Sequence, residues 1–274
     1  METDMLKIDE AKIAQRLETF VKERLNHSRL DGYILGLSGG IDSSLSATIA
    51  VKAIGSDKVH GIIMPYSLSS DQSENDALKL IDFLGIKFEK IEISPMIDAY
   101  YKDIKKIDAV RAGNKMARER MSILFDKAYE HNLLVLGTSN RTEICLGYGT
   151  WYGDVACSLN PIGMLYKTQV RALSKYYQIP ESIITKQPSA DLWPGQTDEK
   201  ELGLEYDKVD RLLFSIIEED ITDRKELNKA GFDDDFIDRA IRLVNRFHFK
   251  RHMPEIADLG FKKIPDKITL NGEK

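Results

Sequence analysis

Apolar positions along this chain follow two alternating periods. Ile13, Leu17, Phe20, Val21 and Leu25 share one side of a helical wheel and predict an amphipathic helix over residues 8–25. A short apolar run predicts a first strand at 33–37, and after a Gly-rich turn residues 45–54 read as a helix. A second strand is predicted at 59–64, stopped by Pro65, then a helix over 71–84 capped by Ser70 or Asp71, with Ala77, Leu80, Ile81 and Leu84 inward. Residues 87–93 alternate as a third strand. Ala117, Met121, Leu124 and Ala128 repeat at helical spacing within 114–130, and 133–136 is a buried strand stopped by Gly137. Beyond Pro161 the pattern predicts a helix over 168–177, a long Pro-rich loop, and helices near 199–217 and 233–247, with a polar tail at 266–274. Strands alternating with helices predict an α/β fold, a doubly wound, mostly parallel sheet with helices on both faces, whose ligands collect at the carboxyl ends of the strands.

The turn after the first strand reads GLSGGIDSS, residues 36–44. Its glycines leave backbone N–H groups uncovered, and the helix behind points its positive end at the turn, so it suits a phosphate or pyrophosphate. Asp42 and Ser43 stand where a side chain caps the helix or reaches a metal ion on the phosphates. Spacing excludes two better-known phosphate loops. Ile41 stands where a Walker loop needs its second Gly, with no Lys after it, and Ser38 stands where the dinucleotide fingerprint needs Gly.

Composition narrows the field. With 274 residues, 42% hydrophobic and 30% charged, the chain is long enough for one large domain, expected to span 1–274 with its core at about 8–254. A net charge of −5 argues against nucleic acid as the main partner. The absence of a long apolar run or a signal-like start argues for a cytoplasmic protein with no membrane partner. Cys145 and Cys157 make neither a disulfide framework nor a zinc set, and are expected to be small, partly buried side chains.

Four further clusters carry candidate chemistry. GTSNRTE, 137–143, begins at a strand end, where Thr138 suits a nucleotide and Glu143 joins Asp42 as a Mg²⁺ carboxylate pair, or else stabilises its own helix. Gly113 and Asn114 open the helix of GNKMARERM, one turn before Arg118, on a face that can hold a ribose or a pyrophosphate but by its residues alone reads as solvated charge. Lys167 sits at a helix front, which is unfavourable unless it faces an anion. KQPSADLWPGQTDEKEL, 186–202, reads as a long loop with an exposed Trp193, either a lid or plain surface.

Taken in order, GLSGGIDSS, GNKMARERM, GTSNRTE, WYGD, LYKTQV, PSADLWPGQTDEKELG and FKRHMP resemble the ammonia-dependent NAD⁺ synthetases over about residues 32–254. These are ATP pyrophosphatases with an adenine nucleotide α hydrolase-like, Rossmann-like fold. SGGxDS alone is shared with GMP, asparagine and argininosuccinate synthetases and tRNA-modifying relatives, whereas the GNxxAR and PSADLxxGQTDE blocks point to the NAD⁺ synthetases. The resemblance implies ATP-dependent amidation of deamido-NAD⁺ through an acyl-adenylate, with release of pyrophosphate and AMP. It implies ATP contacts from Gly36, Leu37, Ser38, Gly39, Gly40, Ile41, Asp42, Ser43, Thr138, Lys167 and Ser189, and Mg²⁺ on Asp42 and Glu143. Deamido-NAD⁺ is implied near Arg118, Trp151, Asp154 and Lys250, with Asp154 and Lys167 catalytic and Asp154 helping to deprotonate ammonium.

The chain departs from many bacterial members in two places: Trp151 stands for a Lys, and Phe249-Lys250 for His-Lys. With only about thirty residues before the first strand and no candidate Cys in them, free or delivered ammonia is expected rather than glutamine. A homodimer is implied, with the N-terminal helix and the Ala117–Met121–Leu124 stripe as candidate contacts, unless both pack on the chain's own core. Rival expectations are a tRNA-modifying pyrophosphatase and an adenine-nucleotide sensor without chemistry.

Overall fold

A computed structural model describes residues 5–189 and 197–260. The first helix, α1 (Glu10–Ser28), leads into β1 (Gly32–Gly36), α2 (Ile41–Ile54), β2 (Val59–Ile63), α3 (Asp71–Leu84) and β3 (Lys87–Lys90). There follow α4 (Ser94–Tyr101), α5 (Ala109–Glu130), β4 (Leu133–Val135), α6 (Arg141–Leu146) and α7 (Lys167–Tyr176). The C-terminal part is helical: α8 (Glu181–Ile184), α9 (Asp198–Leu202), α10 (Tyr206–Ile217), α11 (Arg224–Lys229) and α12 (Asp234–Arg246).

The strands pair in parallel in the order β3-β2-β1-β4. Tyr33, Leu35 and Leu37 point to one face, where α1, α2 and α7 bury Val21, Leu45, Ile49 and Leu173 against them. Ile34, Ile62 and Val135 point to the other, where α5 lays Met116, Met121 and Leu124. This is the alternation a sheet covered on both sides requires, and the doubly wound expectation holds. A separate cluster of Leu146, Tyr206, Leu213 and Ile237 joins α6 to α10 and α12.

The sheet grows one way from β1 to β2 and β3 and the other way to β4, so the reversal falls between β1 and β4. A crevice opens at such a reversal, outside the carboxyl ends of the strands. The chain leaves β1 into 37–43 and β4 into 136–143, the two segments singled out by their polar residues.

Several expectations need correction. Helix α5 starts before Gly113, because Asp108 Oδ1 caps it at Arg111 N (2.8 Å); Gly113 and Asn114 therefore lie inside it rather than opening it. Regular β3 stops at Lys90, although hydrogen bonds from Ile91 N to Ile63 O and from Ile93 N to Pro65 O (both 2.9 Å) continue the pairing into α4, an unforeseen helix with Pro95 in its first turn. The expected helix over 199–217 is broken at Gly203 (φ 63°) into α9 and α10, and α11 was also unforeseen. Met121 and Leu124 pack on the chain's own sheet, and Ala14, Val21 and Leu25 of α1 are buried in its core, the packing of the second alternative offered for these two faces. Residues 190–196 of the expected lid, Trp193 among them, and the 266–274 tail lie outside the described residues.

Candidate active site

The turn after β1 is built from backbone. Gly39 adopts φ +71°, and a Cβ there would fall 2.1 Å from the carbonyl oxygen of Ser73 on α3. Only glycine lets the two backbones approach this closely. Ser38 Oγ accepts from Gly40 N (3.2 Å), and Ser43 Oγ donates to Gly40 O (3.1 Å). The first intrahelical bond of α2 runs from Ser44 N to Gly40 O, and no side chain caps the helix. Neither Asp42 nor Ser43 is a cap, which removes the first of the two alternatives offered for them by the sequence. The N–H groups of Ile41, Asp42 and Ser43 precede the first helical bond, where a helix offers its positive end to an anion.

Asp42 is held by tertiary partners instead, whereas Ser43 bonds within the turn. Asn140 Nδ2 donates to Asp42 Oδ1 (2.9 Å), and Lys167 Nζ lies 2.5 Å from Asp42 Oδ2 and 3.3 Å from Glu143 Oε1. Asn140 caps α6 in a reciprocal box: Glu143 N donates to Asn140 Oδ1 (3.0 Å) and Asn140 N to Glu143 Oε2 (3.2 Å). The box aims Glu143 at Lys167, whose side chain is only 2% exposed. Burial acts to lower the Lys167 pKa, but Asp42 and Glu143 outweigh it and the ammonium is held above its usual range. The Glu143 carboxyl is pushed up, first by burial and then by Asp42 and Asp198.

Asp198, at the start of α9, is buried and accepts from Tyr148 Oη (3.0 Å) and Tyr206 Oη (3.2 Å), and burial raises its carboxyl too. Three carboxylates thus act on one ammonium. Their oxygen donors, with negative charge in excess, fit a hard divalent cation such as Mg²⁺.

Other contacts set this geometry. Asp210 of α10 accepts from Thr142 Oγ1 (2.5 Å) on α6 and from Thr168 N (2.8 Å) and Oγ1 (2.9 Å) on α7, and burial pushes it up to about 6. Lys167 N in turn donates to Thr142 Oγ1 (3.0 Å). Lys186 reaches back from beyond α8 to Ser73 Oγ (2.9 Å) and Gly39 O (3.3 Å), with the buried Asp76 carboxylate 3.5 Å away. A second ammonium therefore lies against the Gly-rich turn.

A second polar group surrounds residues 147–154. Asp154 Oδ1 accepts from Thr150 N (2.8 Å), Thr150 Oγ1 donates to Asn114 Oδ1 (2.7 Å), and Arg118 Nε donates to Trp151 O (3.1 Å). Lys250 Nζ donates to the carbonyls of Gly147 and Gly149 (both 2.7 Å). Asp154 is an exposed residue, yet the protein packed around its carboxyl raises the pKa against the hydrogen bonds from Thr150 and the Lys250 charge. Burial lowers the Lys250 pKa. Trp151 stacks on Tyr152 (4.6 Å between ring centres) and meets Phe249 edge-on (5.1 Å). The two positions that depart from the usual bacterial pattern therefore touch each other.

The structure brings Gly36–Ser43, Glu143 and Lys167 together, and gathers Arg118, Trp151, Asp154 and Lys250 around one loop. Thr138 lies just past β4, and Ser189 is exposed beside residues 190–196. Sequence reasoning overlooked Asn140, Lys186, Asp198 and Asp210. The Asn140-x-x-Glu143 spacing signals a capping box. Asp210 shares a helical face with Tyr206, Val209 and Leu213, and a carboxylate on an apolar face was a visible signal.

A model of the NAD synthase family matches residues 13–254. The NH(3)-dependent NAD(+) synthetase of Fusobacterium nucleatum is 48% identical over 248 residues, 90% of this chain and 96% of that protein. Among solved structures, the NH3-dependent NAD synthetase of Campylobacter jejuni in complex with the nitrate ion is 37% identical with a TM-score of 0.78, over 92% of this chain and 100% of that one. The NMN synthetase of Francisella tularensis is 33% identical with a TM-score of 0.81, over the same shares.

Proposed function

This chain belongs to the NAD synthase family, and from that premise we infer how its two polar groups divide the work. The chain is a ligase that amidates deamido-NAD⁺ with ammonia, at the expense of ATP, in NAD⁺ biosynthesis. The nicotinate carboxylate attacks the α-phosphorus of ATP and expels pyrophosphate; ammonia then attacks the acyl-adenylate and AMP leaves. No protein nucleophile is required. The barrier falls through positioning and through neutralising phosphate charge.

The assignment of roles rests on one observation above all: an uncapped helix start beside a buried Lys167 held by Asp42 and Glu143. The turn from Gly36 through Leu37, Ser38, Gly39, Gly40, Ile41 and Asp42 to Ser43 cradles the phosphates, with the N–H groups at the start of α2 as its donors, since the Leu37 N–H is already given to Ile62 O (2.9 Å). Lys167 places its charge against them, and Thr138 and Ser189 contact the nucleotide. Asp42 and Glu143 would hold Mg²⁺, which when bound neutralises phosphate oxygens. Arg118, Trp151, Asp154 and Lys250 take the deamido-NAD⁺ side, and a homodimer working in the cytoplasm is the assembly we favour.

Purified chain with ATP, Mg²⁺, ammonium and deamido-NAD⁺ is expected to form NAD⁺ and AMP in equal amounts, and much less product with nicotinate mononucleotide. ADP in place of AMP, or nucleotide cleavage independent of deamido-NAD⁺, would overturn the reading.

Proton linkage provides a second test. Glu143 must lose its proton to take a cation. Since its folded pKa is raised, Mg²⁺ affinity is expected to climb with pH through the neutral range, by up to about tenfold per unit for one linked proton. Titration calorimetry with the full chain reads this, and flat affinity would contradict it.

Asp154 is placed as the group that takes a proton from ammonium, because only free ammonia is nucleophilic. Asn at this position keeps an oxygen for Thr150 N. Asp154→Asn is expected to lower kcat by about 10²-fold or more and to shift the pH profile to the alkaline side, where free ammonia is abundant. An unchanged rate and profile would remove the role.

A further inference from the structure

The amino ends of the strands, away from the crevice, carry a group that the ligase reaction does not use. His60 is the second residue of β2, Glu89 lies on β3, and His131 follows the last residue of α5. Glu89 Oε1 lies 3.3 Å from His60 Nε2 and 3.0 Å from His131 Nε2, and the three candidate ligand atoms all lie within 4.8 Å of one another. The two imidazoles stack with ring centres 4.9 Å apart. They border a surface cavity of about 210 Å³, whose rim carries Asp31, Asp57, Lys58 and Lys87.

His60 Nε2 is fully enclosed yet makes no hydrogen bond, although Glu89 Oε1 is near. A buried nitrogen left in this state needs an explanation. We propose that His60, Glu89 and His131 form a binding site for a divalent transition-metal ion of the zinc class, which ties the end of α5 to β2 and β3.

The donor set of two imidazoles and one carboxylate suits zinc and its neighbours rather than Mg²⁺, which prefers oxygen. With metal–ligand bonds of about 2.0–2.1 Å, tetrahedral ligands stand roughly 3.3 Å apart. The two contacts to Glu89 are already close to that edge. The cavity leaves room for a water as a fourth ligand. Glu89 Oε2 accepts from Lys127 Nζ (2.9 Å), which leaves Oε1 turned to the histidines, as outer partners of metal-bound carboxylates do.

The test uses the full chain, stripped with a chelator and titrated with Zn²⁺ against a chromophoric indicator in excess Mg²⁺, which occupies the active-site carboxylates. One equivalent of Zn²⁺ is expected to bind and to raise the Tm, and Co²⁺ in its place is expected to give visible bands of mixed nitrogen and oxygen ligation. His131→Ala, at a partly exposed ring, and His60→Asn are each expected to weaken Zn²⁺ by about 100-fold or more, with NAD⁺ formation in Mg²⁺ retained. His131→Ala keeps the test decisive if the buried variant fails to fold. Wild type without a tight equivalent, or wild type and His131→Ala binding Zn²⁺ equally, would overturn the site and leave Glu89 as a hydrogen-bond partner of His131 alone of the two histidines.

Discussion

Lys167→Met is expected to lower kcat/KM for ATP by about 10²–10³-fold, the usual cost of losing one charge-stabilising donor at a reacting phosphate or carbonyl. The same change costs about 3–5 kcal/mol of stability, because Asp42 and Glu143 lose their buried counter-charge. The pH dependence has a definite sign. Without the ammonium, the Glu143 carboxyl, already raised by burial, rises further. A carboxyl whose folded pKa lies above its unfolded value contributes stability at low pH that is lost as pH rises through the folded value. The stability deficit of the variant is therefore largest at alkaline pH and smallest in acid. Steady-state kinetics and urea unfolding at several pH values check both parts. A variant with near-native kinetics and a pH-independent deficit would show that Lys167 merely fills space.

The second large effect belongs to Gly39. Ala at this position meets both a left-handed backbone at φ +71° and the Ser73 carbonyl 2.1 Å away, so the turn must separate from α3. Lys186, which spans Gly39 O and Ser73 Oγ, loses its seat in the same movement. Gly39→Ala is expected to raise KM for ATP at least about tenfold, on top of roughly 1 kcal/mol of backbone strain. Gly85→Ala is the matched control. Gly85 has φ +63° at the end of α3, but a Cβ there meets nothing within 4 Å. It carries the same kind of strain and is expected to leave ATP binding intact. If the two variants bind ATP alike, the close approach of turn and helix is not what shapes the phosphate cradle.

What could be read from the sequence was what is local. The Gly-rich turn, the strand before it and the helix after it are contiguous, so backbone conformation, dipole and exposure follow from residue order. Helix α3 was legible to its ends because Ser70 and Gly85 mark both caps. The expectation failed where a distant partner decides. Asp42 meets Asn140 across 98 positions and Lys167 across 125, and Lys186 meets Gly39 across 147. Asp42 stood open between cap and metal ligand because nothing nearby in sequence announces that Asn140 and Lys167 claim both of its oxygens. Asp198 sat in a segment read as either lid or surface and Asp210 in an expected helix, whereas burial beneath tyrosines and threonines makes them struts of the site.

The most direct measurement is a crystal structure of the chain with a non-hydrolysable ATP analogue and Mg²⁺. The account predicts the phosphates on the N–H groups between Ser38 and Ser43, the cation between Asp42 and Glu143, and Lys167 Nζ turned from Asp42 towards the phosphate oxygens. Phosphates seated elsewhere, with the turn after β1 vacant and Lys167 still bridging the two carboxylates, would contradict it.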